Sequence, residues 1–412
     1  MGGNEERPPG SLAEALSAIP DPRRRQRRVH SQVAILQVSV AAMLCGSRSV
    51  YGIGQWARDR LADAPELLQA LGVKKGLCPS VPTLHRVFKR MAASEFEGAL
   101  GRWFAATGLE PGETLGIDGK TLRGIHGEEV PGVHLVSAYA VHAKAVIGQI
   151  ACQGKGHELE GVRQLIESLP LEGNLVVGDA LLCQRDICAR IVEGGGDYLT
   201  VVKENQPALL EEIQRALSPL GLDPGAKLPA RFEAARALLR EGETRVSLLP
   251  PEELPQPLLP EGLQRELQGQ GTQVSAYLDA PQKPSHGRFE RREAMSLHWP
   301  ALNCYVGSSG EVGLAWPYVE QVTRLKRERL TAKGASVEVT YAITSLLPQE
   351  ADAERICLEL RGYWGAVENG SHCVRDVTLQ EDASQVRTGA APQVMAGLRN
   401  LTLALARRVG AD

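Results

Sequence analysis

The chain has 412 residues, 43% of them hydrophobic, enough for two or three domains and a sizeable core, so a soluble globular protein is the default. Its formal net charge of −3 and sequence pI near 6.4 argue against a uniformly basic nucleic-acid binder; any such contact must rest on local basic patches. The eight cysteines form no CxxC pair, which speaks against a zinc site and fits reduced thiols in a cytosolic compartment. The opening MGGNEERPPG carries no signal pattern, and the apolar run VAILQVSVAAMLCG is too short to span a bilayer.

Residues 1–108 read as an all-α N-terminal domain. DPRRRQRRVH leads into an apolar helix at 33–45, YGIGQWARDRLADA forms a second, and PSVPTLHRVFKRM reads as a turn, a Thr83 cap and a short helix. Leu84, Val87 and Phe88 share one side of that helix, and Arg86, Lys89 and Arg90 suit either DNA contact or a solvated face. The five arginines of RRRQRR, with Arg23, Arg24 and Arg25 foremost, are a denser candidate for phosphate contact, or else a charged arm.

From about residue 109 the pattern turns to strands. ETLGIDGKTL, HLVSAYAV and VIGQIACQG are close together with short connections, as in an antiparallel meander. HELEGVRQLIESLP is a helix, NLVVGDALL a strand buried on both faces, CQRDICARIVEGG a helix and DYLTVVKEN a strand. Three strands, helix, strand, helix, strand is the order of an RNase H-like fold, with a mixed five-stranded sheet and helices. Residues 109–206 give its first part and 341–412 its last, interrupted by a mainly β insertion at 207–340. The insertion opens with a helix at ALLEEIQRAL and holds a Pro-rich loop, LLPPEELPQPLLP, and short strands at AMSLHW and NCYVG. YAITSL then reads as a strand, ADAERICLELRGYWGAVENGSH as a helix and QVMAGLRNLTLALARRV as the last helix.

Two aspartates are oddly placed. Asp118, in GIDGKTLRG, occupies a strand position where a core strand wants Val or Leu, and Asp179 ends the buried run VVGDAL. In an RNase H-like sheet the first and fourth strands are neighbours, so the two can converge, with Glu368 of the late helix beside them. Three converging carboxylates with no nearby Lys take up protons or share a divalent metal. Hard oxygen donors suit Mg²⁺, and a pair of such ions suits in-line phosphoryl displacement. Against this, each Asp beside a Gly is equally well placed to close a tight turn, and Glu368 alone reads as a surface acid.

IDGKTLRG, HLVSAYAV, KGHELEGVRQLIESL, GDALLCQRDICARIVEGGGDYLTVVKENQ, HGRFERRE, YAITSL, YWGAVENGSHCVRDVTLQEDASQVR and LRNLTLAL run through the chain in order. Together they resemble the DDE transposases of the ISAs type, the H-repeat-associated protein family, and the N-terminal helices resemble the family's associated domain. The resemblance implies a catalytic triad of Asp118, Asp179 and Glu368 that holds two Mg²⁺ ions, with Mn²⁺ as substitute. It also implies cleavage and strand transfer at the ends of an insertion sequence. The implied partners are double-stranded DNA, both transposon ends and target, and a second copy of the chain on that DNA, in a nucleoid-associated complex. A domesticated nuclease or a non-catalytic DNA-binding regulator are the alternatives. Other matching positions are Lys203, Asn205 and Gln206 in KENQ, Arg361 and His372 flanking Glu368, and Arg288 and Arg291 in HGRFERRE. Each is a candidate DNA contact or a structural residue. The chain departs from the family at Tyr363, Cys373 and Arg375 and in GDAL, without losing a triad acid.

Overall fold

The computed structural model describes residues 10–24, 26, 28–122, 133–152, 154, 156–217, 273–279, 288–303, 316–331 and 333–410. The expected Pro-rich loop, most of NCYVG, and Arg25 lie outside them. The chain divides into two compact units: residues 1–174 with 363–412, and residues 175–362.

The first unit opens with six helices: α1 Leu12–Ser17, α2 Gln32–Leu44, α3 Val50–Asp63, α4 Pro65–Ala70, α5 Val81–Arg90 and α6 Ala93–Gly108. Helices α1, α2 and α3 begin at serines 11, 31 and 49, whose side chains accept a backbone N–H of the first turn. At α5 the cap is Ser80 rather than Thr83; the Thr83 hydroxyl lies inside the first turn, 3.0 Å from that of Ser80. Leu84, Val87 and Phe88 are buried and Arg86, Lys89 and Arg90 exposed, as the helical spacing predicts.

Strands β1 Thr114–Thr121, β2 His134–Ala140 and β3 Ala145–Cys152 form the expected antiparallel meander. Every residue of β2 is buried. The helix α7, Glu158–Ser168, covers β2 and β3 with Gly161, Val162, Leu165 and Ile166, and α6 packs on β3.

In the second unit β4 Leu175–Gly178 pairs in parallel with β5 Asp197–Val202 across helix α8, Arg185–Glu193. Helix α9, Pro207–Leu217, follows. The remaining strands are β6 Val274–Asp279, β7 Arg288–His298, β8 Gln321–Thr331 and β9 Gly334–Thr344, in the order β5-β9-β8-β7-β6, all antiparallel. The described residues thus hold nine strands, where five were expected. The difference arises because β9 runs unbroken through residue 340, pairing at its end with β5 and along its length with β8. What read as short strands around AMSLHW is one eleven-residue strand, β7. Among the described residues of 207–340, α9 is a helix and β6, β7, β8 and most of β9 are strands.

Helix α10, Ala353–Trp364, buries Ile356 and Leu360. From Gly365 to Thr378 the chain continues in two π-helical stretches, Gly365–His372 and Val374–Thr378, and ends in helix α11, Ala391–Arg408. α11 packs against α2, α5, α6 and β3, which joins the N-terminal helices to the meander within one core.

That core contains a polar chain. The Gln149 amide donates to Glu97 Oε1 at 2.8 Å, and the Asn400 amide donates to Gln149 Oε1 at 3.0 Å. Burial pushes the Glu97 carboxyl up to about 8, against the opposing pull of Gln149 and Arg375, so it is protonated at neutral pH. The unfolded chain ionises this group above about 4.5, so the stability it contributes is full below that pH and is lost as pH rises through about 8. Glu97→Gln, which keeps the accepting oxygen, is expected to be more stable than wild type at pH 8 in urea unfolding, the gap closing at pH 5. A gap that does not change with pH would contradict a protonated Glu97.

Candidate active site

Alternation along β1 puts Gly116, Asp118 and Lys120 on one face of the strand, and the segment after α10 runs along that face. Gly116 permits the approach: a Cβ there would be 2.8 Å from the Tyr363 ring and 3.1 Å from Val367 Cγ2. The Tyr363 hydroxyl donates to the carbonyl of Ile117 at 3.0 Å. Further along, His372 Nδ1 lies 3.5 Å from Asp118 Oδ2. Finally Lys120 Nζ reaches both Asp376 and, at 2.9 Å, Glu381 Oε2. Glu368, whose side chain lies outside the described residues, is therefore bracketed in the chain by Val367 on Gly116 and His372 on Asp118.

Asp118 is not the buried lone carboxylate its apolar neighbours suggest. Its side chain is 30% exposed, with an imidazole beside it. Burial, with Arg375 and Lys120 adding to it, lowers the His372 pKa to about 4. At neutral pH that ring is uncharged, so its contact with Asp118 is a long polar contact rather than an ion pair.

Behind Lys120 is a buried charge cluster. Arg375 donates to Glu381 at 2.8 Å, and Arg399 of α11 lies 3.7 Å from it. Arg399 also donates to the carbonyl of Arg48 at 3.4 Å, between α2 and α3. Gln380, in the left-handed region at φ 48°, makes the turn that returns Glu381 to Arg375. Burial opposes ionisation of Glu381, yet Arg375 and Lys120, helped by Arg399, outweigh it and hold the carboxyl down at about 2. Sequence reasoning missed Lys120, Glu381 and Arg399. Arg375, noted only as a departure from the family pattern, proves to be fully buried.

Asp179 follows β4 in the second unit, its side chain 43% exposed. The turn reading of it holds. Its Oδ1 accepts the backbone N–H of Leu181 at 2.9 Å, a turn-closing bond, while Oδ2 faces Lys203 Nζ at 3.5 Å. The expectation that no Lys lies near the acids is thereby corrected. Asn205 and Gln206 donate to the carbonyls of Ala180 and Cys183, at 2.8 and 3.0 Å, so they brace the loop that carries Asp179.

The other candidates are engaged locally. Arg361 pairs with Asp279 of β6 at 3.0 Å. The expectation that Arg361, Glu368 and His372 share one helix face assumed α-helical spacing, whereas Gly365–His372 is π-helical. Arg288 lies 3.0 Å from Glu290, whereas Arg291, on the opposite face of β7, pairs with Glu293 and Glu328. Arg23 pairs with Asp21 at 2.9 Å and donates to the His30 carbonyl, and Arg24 is exposed.

Within the first unit β1 presents Asp118 to the segment that carries Glu368, and in the second unit Asp179 follows the buried strand β4; comparison with known proteins gives the family. Residues 111–405 match the transposase DDE domain and residues 13–104 the domain associated with it. The chain belongs to the DDE transposase family. It is 28% identical over 400 residues to "Putative transposase YncI" of Escherichia coli O157:H7, covering 96% of this chain and 87% of that one. It is 24% identical over 395 residues to "H repeat-associated putative transposase YhhI" of Escherichia coli K12, covering 95% and 89%. A cryo-EM structure of piggyBac transposase in a synaptic complex with hairpin DNA covers 93% of this chain and 68% of that one. Its TM-score of 0.40 and 9% identity are too low to bear on residue roles. No helix among the described residues is long and apolar enough to cross a membrane.

Glu381→Gln removes the one carboxylate that faces Arg375, Lys120 and Arg399 together. Leaving buried cations uncompensated costs about 3–5 kcal/mol, so a large drop in the urea midpoint is expected. A change below about 1 kcal/mol would show that the cluster is not a structural hub.

Proposed function

We propose that this chain is a transposase that cuts and rejoins DNA at the ends of its own element, with Asp118, Asp179 and Glu368 acting as one carboxylate set. The observation that carries the reading is the segment bearing Glu368, laid along the Asp118 face of β1 in a chain whose residues 111–405 match the DDE domain. On this reading the chain is an RNase H-like catalytic domain in two parts, 109–206 and 341–412, around the insertion at 207–340, with the helical domain at 1–108 binding DNA.

Asp118 and Asp179 fit a hard divalent cation: both are carboxylates and both are partly exposed. Among the described residues, which do not include the Glu368 side chain, no group of three acids, His or Cys is placed to hold a metal ion. Two Mg²⁺ ions held by the three acids, or Mn²⁺ in their place, would neutralise charge on the scissile phosphate and lower the pKa of an attacking water. The chain's own groups supply the rest. Neutral His372 keeps Asp118 turned toward the site without adding positive charge. Asn205 and Gln206 hold the loop that presents Asp179, and Lys203 is placed to take a DNA phosphate beside it.

In the reaction, water attacks a phosphodiester at the element's end and a 3′-hydroxyl leaves; that hydroxyl then attacks a phosphodiester of target DNA and displaces its 3′-oxygen. Two ends require two sites, which a homodimer on DNA provides, in the cytoplasm and at the nucleoid.

The test is cleavage of supercoiled DNA carrying the element's ends, with Mg²⁺ or Mn²⁺, by wild type and by Asp118→Asn, Asp179→Asn and Glu368→Gln. Cleavage by wild type should fall by at least about a hundredfold in each variant. Unaltered cleavage in any variant would remove that residue from the set, and DNA binding without cleavage by wild type would mark a regulator.

A further inference from the structure

Strand alternation places Arg288, Glu290 and Arg292 on one face of β7. The register of β7 with β8 sets Arg329 opposite Glu290 and Arg327 opposite Arg292, on that same face. Glu290 is the hub of the group, with Arg288 at 3.0 Å, Arg327 at 2.8 Å, Arg329 at 4.0 Å and Arg292 in direct contact. At the margins Glu338 of β9 lies 3.6 Å from Arg327, and Asp279 of β6 takes both Arg292 and Arg361. Four guanidinium groups on this face, with that of Arg361, therefore share three carboxylates.

Three of these arginines remain open to solvent: Arg288 is 37% exposed, Arg327 32% and Arg329 40%. The Nε groups of Arg327 and Arg329 are buried and have no hydrogen-bond partner among the described residues. The opposite face differs. There Arg291 and Lys326 pair with Glu293 and Glu328, and none of these four side chains is more than 17% exposed. Excess guanidinium on a sheet surface within an acidic protein is a local patch of the kind that attracts a polyanion.

We infer that the Arg288, Arg327 and Arg329 face of the insertion sheet binds backbone phosphates of duplex DNA, with Glu290 holding the guanidinium groups in register while leaving positive charge to spare. Guanidinium groups suit phosphate oxygens because the planar fork donates two parallel N–H bonds. Neighbouring strands about 4.8 Å apart, with Arg288 on β7 and Arg327 and Arg329 on β8, present several forks to one DNA strand. The inference rests on the reading of the chain as a DNA-acting transposase. It extends that reading to Arg327 and Arg329 and removes Arg291 from the contact set.

The experiment measures binding of wild-type protein to duplex carrying the element's ends by fluorescence anisotropy across a salt series, beside the double variant Arg327→Ala, Arg329→Ala and the single variant Glu290→Gln. The double variant should bind about tenfold more weakly, with a salt slope shallower by about 2. Glu290→Gln should bind more tightly than wild type, an effect that a purely structural role for Glu290 would not give. Unchanged affinity and slope in the double variant would overturn the inference while leaving the function intact. Failure of wild type to bind duplex would overturn both. If the double variant does not fold, as judged by circular dichroism, Arg329→Ala alone decides: its longest-range pairing predicts a folded protein with a slope shallower by about 1, and an unchanged slope would overturn the inference.

Discussion

The contact between Glu381 and its three cations determines how the first unit can be built. Lys120 comes from β1, Arg375 from the π-helical segment and Arg399 from α11, and all four side chains are almost fully withdrawn from water. Such a cluster need not add net stability, since the cost of desolvating four charges offsets much of their attraction. What it imposes is arrangement, because any shift that parts the charges leaves one buried alone. The segment from Gly365 to Thr378 is thereby held in register along β1. Glu368 lies in the stretch between the anchor at Gly116 and the anchors at Asp118 and Lys120. Through the Arg48 carbonyl the same cluster reaches the N-terminal helices.

Much of the fold was legible because apolar spacing is a direct record of burial. The meander, α7, the all-buried β4 and the core side of α5 follow from period 2, from continuous runs, or from 3.6-residue spacing. What was not legible depends on long-range pairing. Nothing local to Glu381 or Arg399 announces that they meet across 18 residues of chain, or that Lys120 joins them from 261 residues away. The length of β7 and the continuity of β9 were hidden because a strand rich in Arg and Glu reads as surface until its partner is known. The π-helical stretch from Gly365 carries no sequence signal in the apolar pattern. The opposite orientation of Arg288 and Arg291, by contrast, was available from strand alternation alone.

The candidate site was legible in its acids and obscure in its supports. Asp118 and Asp179 stood out because a carboxylate in an apolar run demands an explanation, and each proves to be partly exposed at a strand. The neutrality of His372 could not be read from sequence, since it follows from burial beside Arg375 and Lys120. Net charge was also a poor guide to partners. A chain at −3 overall can still gather four guanidinium groups on one sheet face, because total charge says nothing about where the charges lie.

The most direct measurement of the central claim, that Asp118, Asp179 and Glu368 form one metal-binding set, is a Mn²⁺ titration followed by electron paramagnetic resonance. Wild type would be compared with Asp118→Asn, Asp179→Asn and Glu368→Gln. The account predicts two bound ions in wild type and loss of at least one of them in every variant, with the fold retained. Wild type that binds no Mn²⁺, or variants that bind it as wild type does, would contradict it.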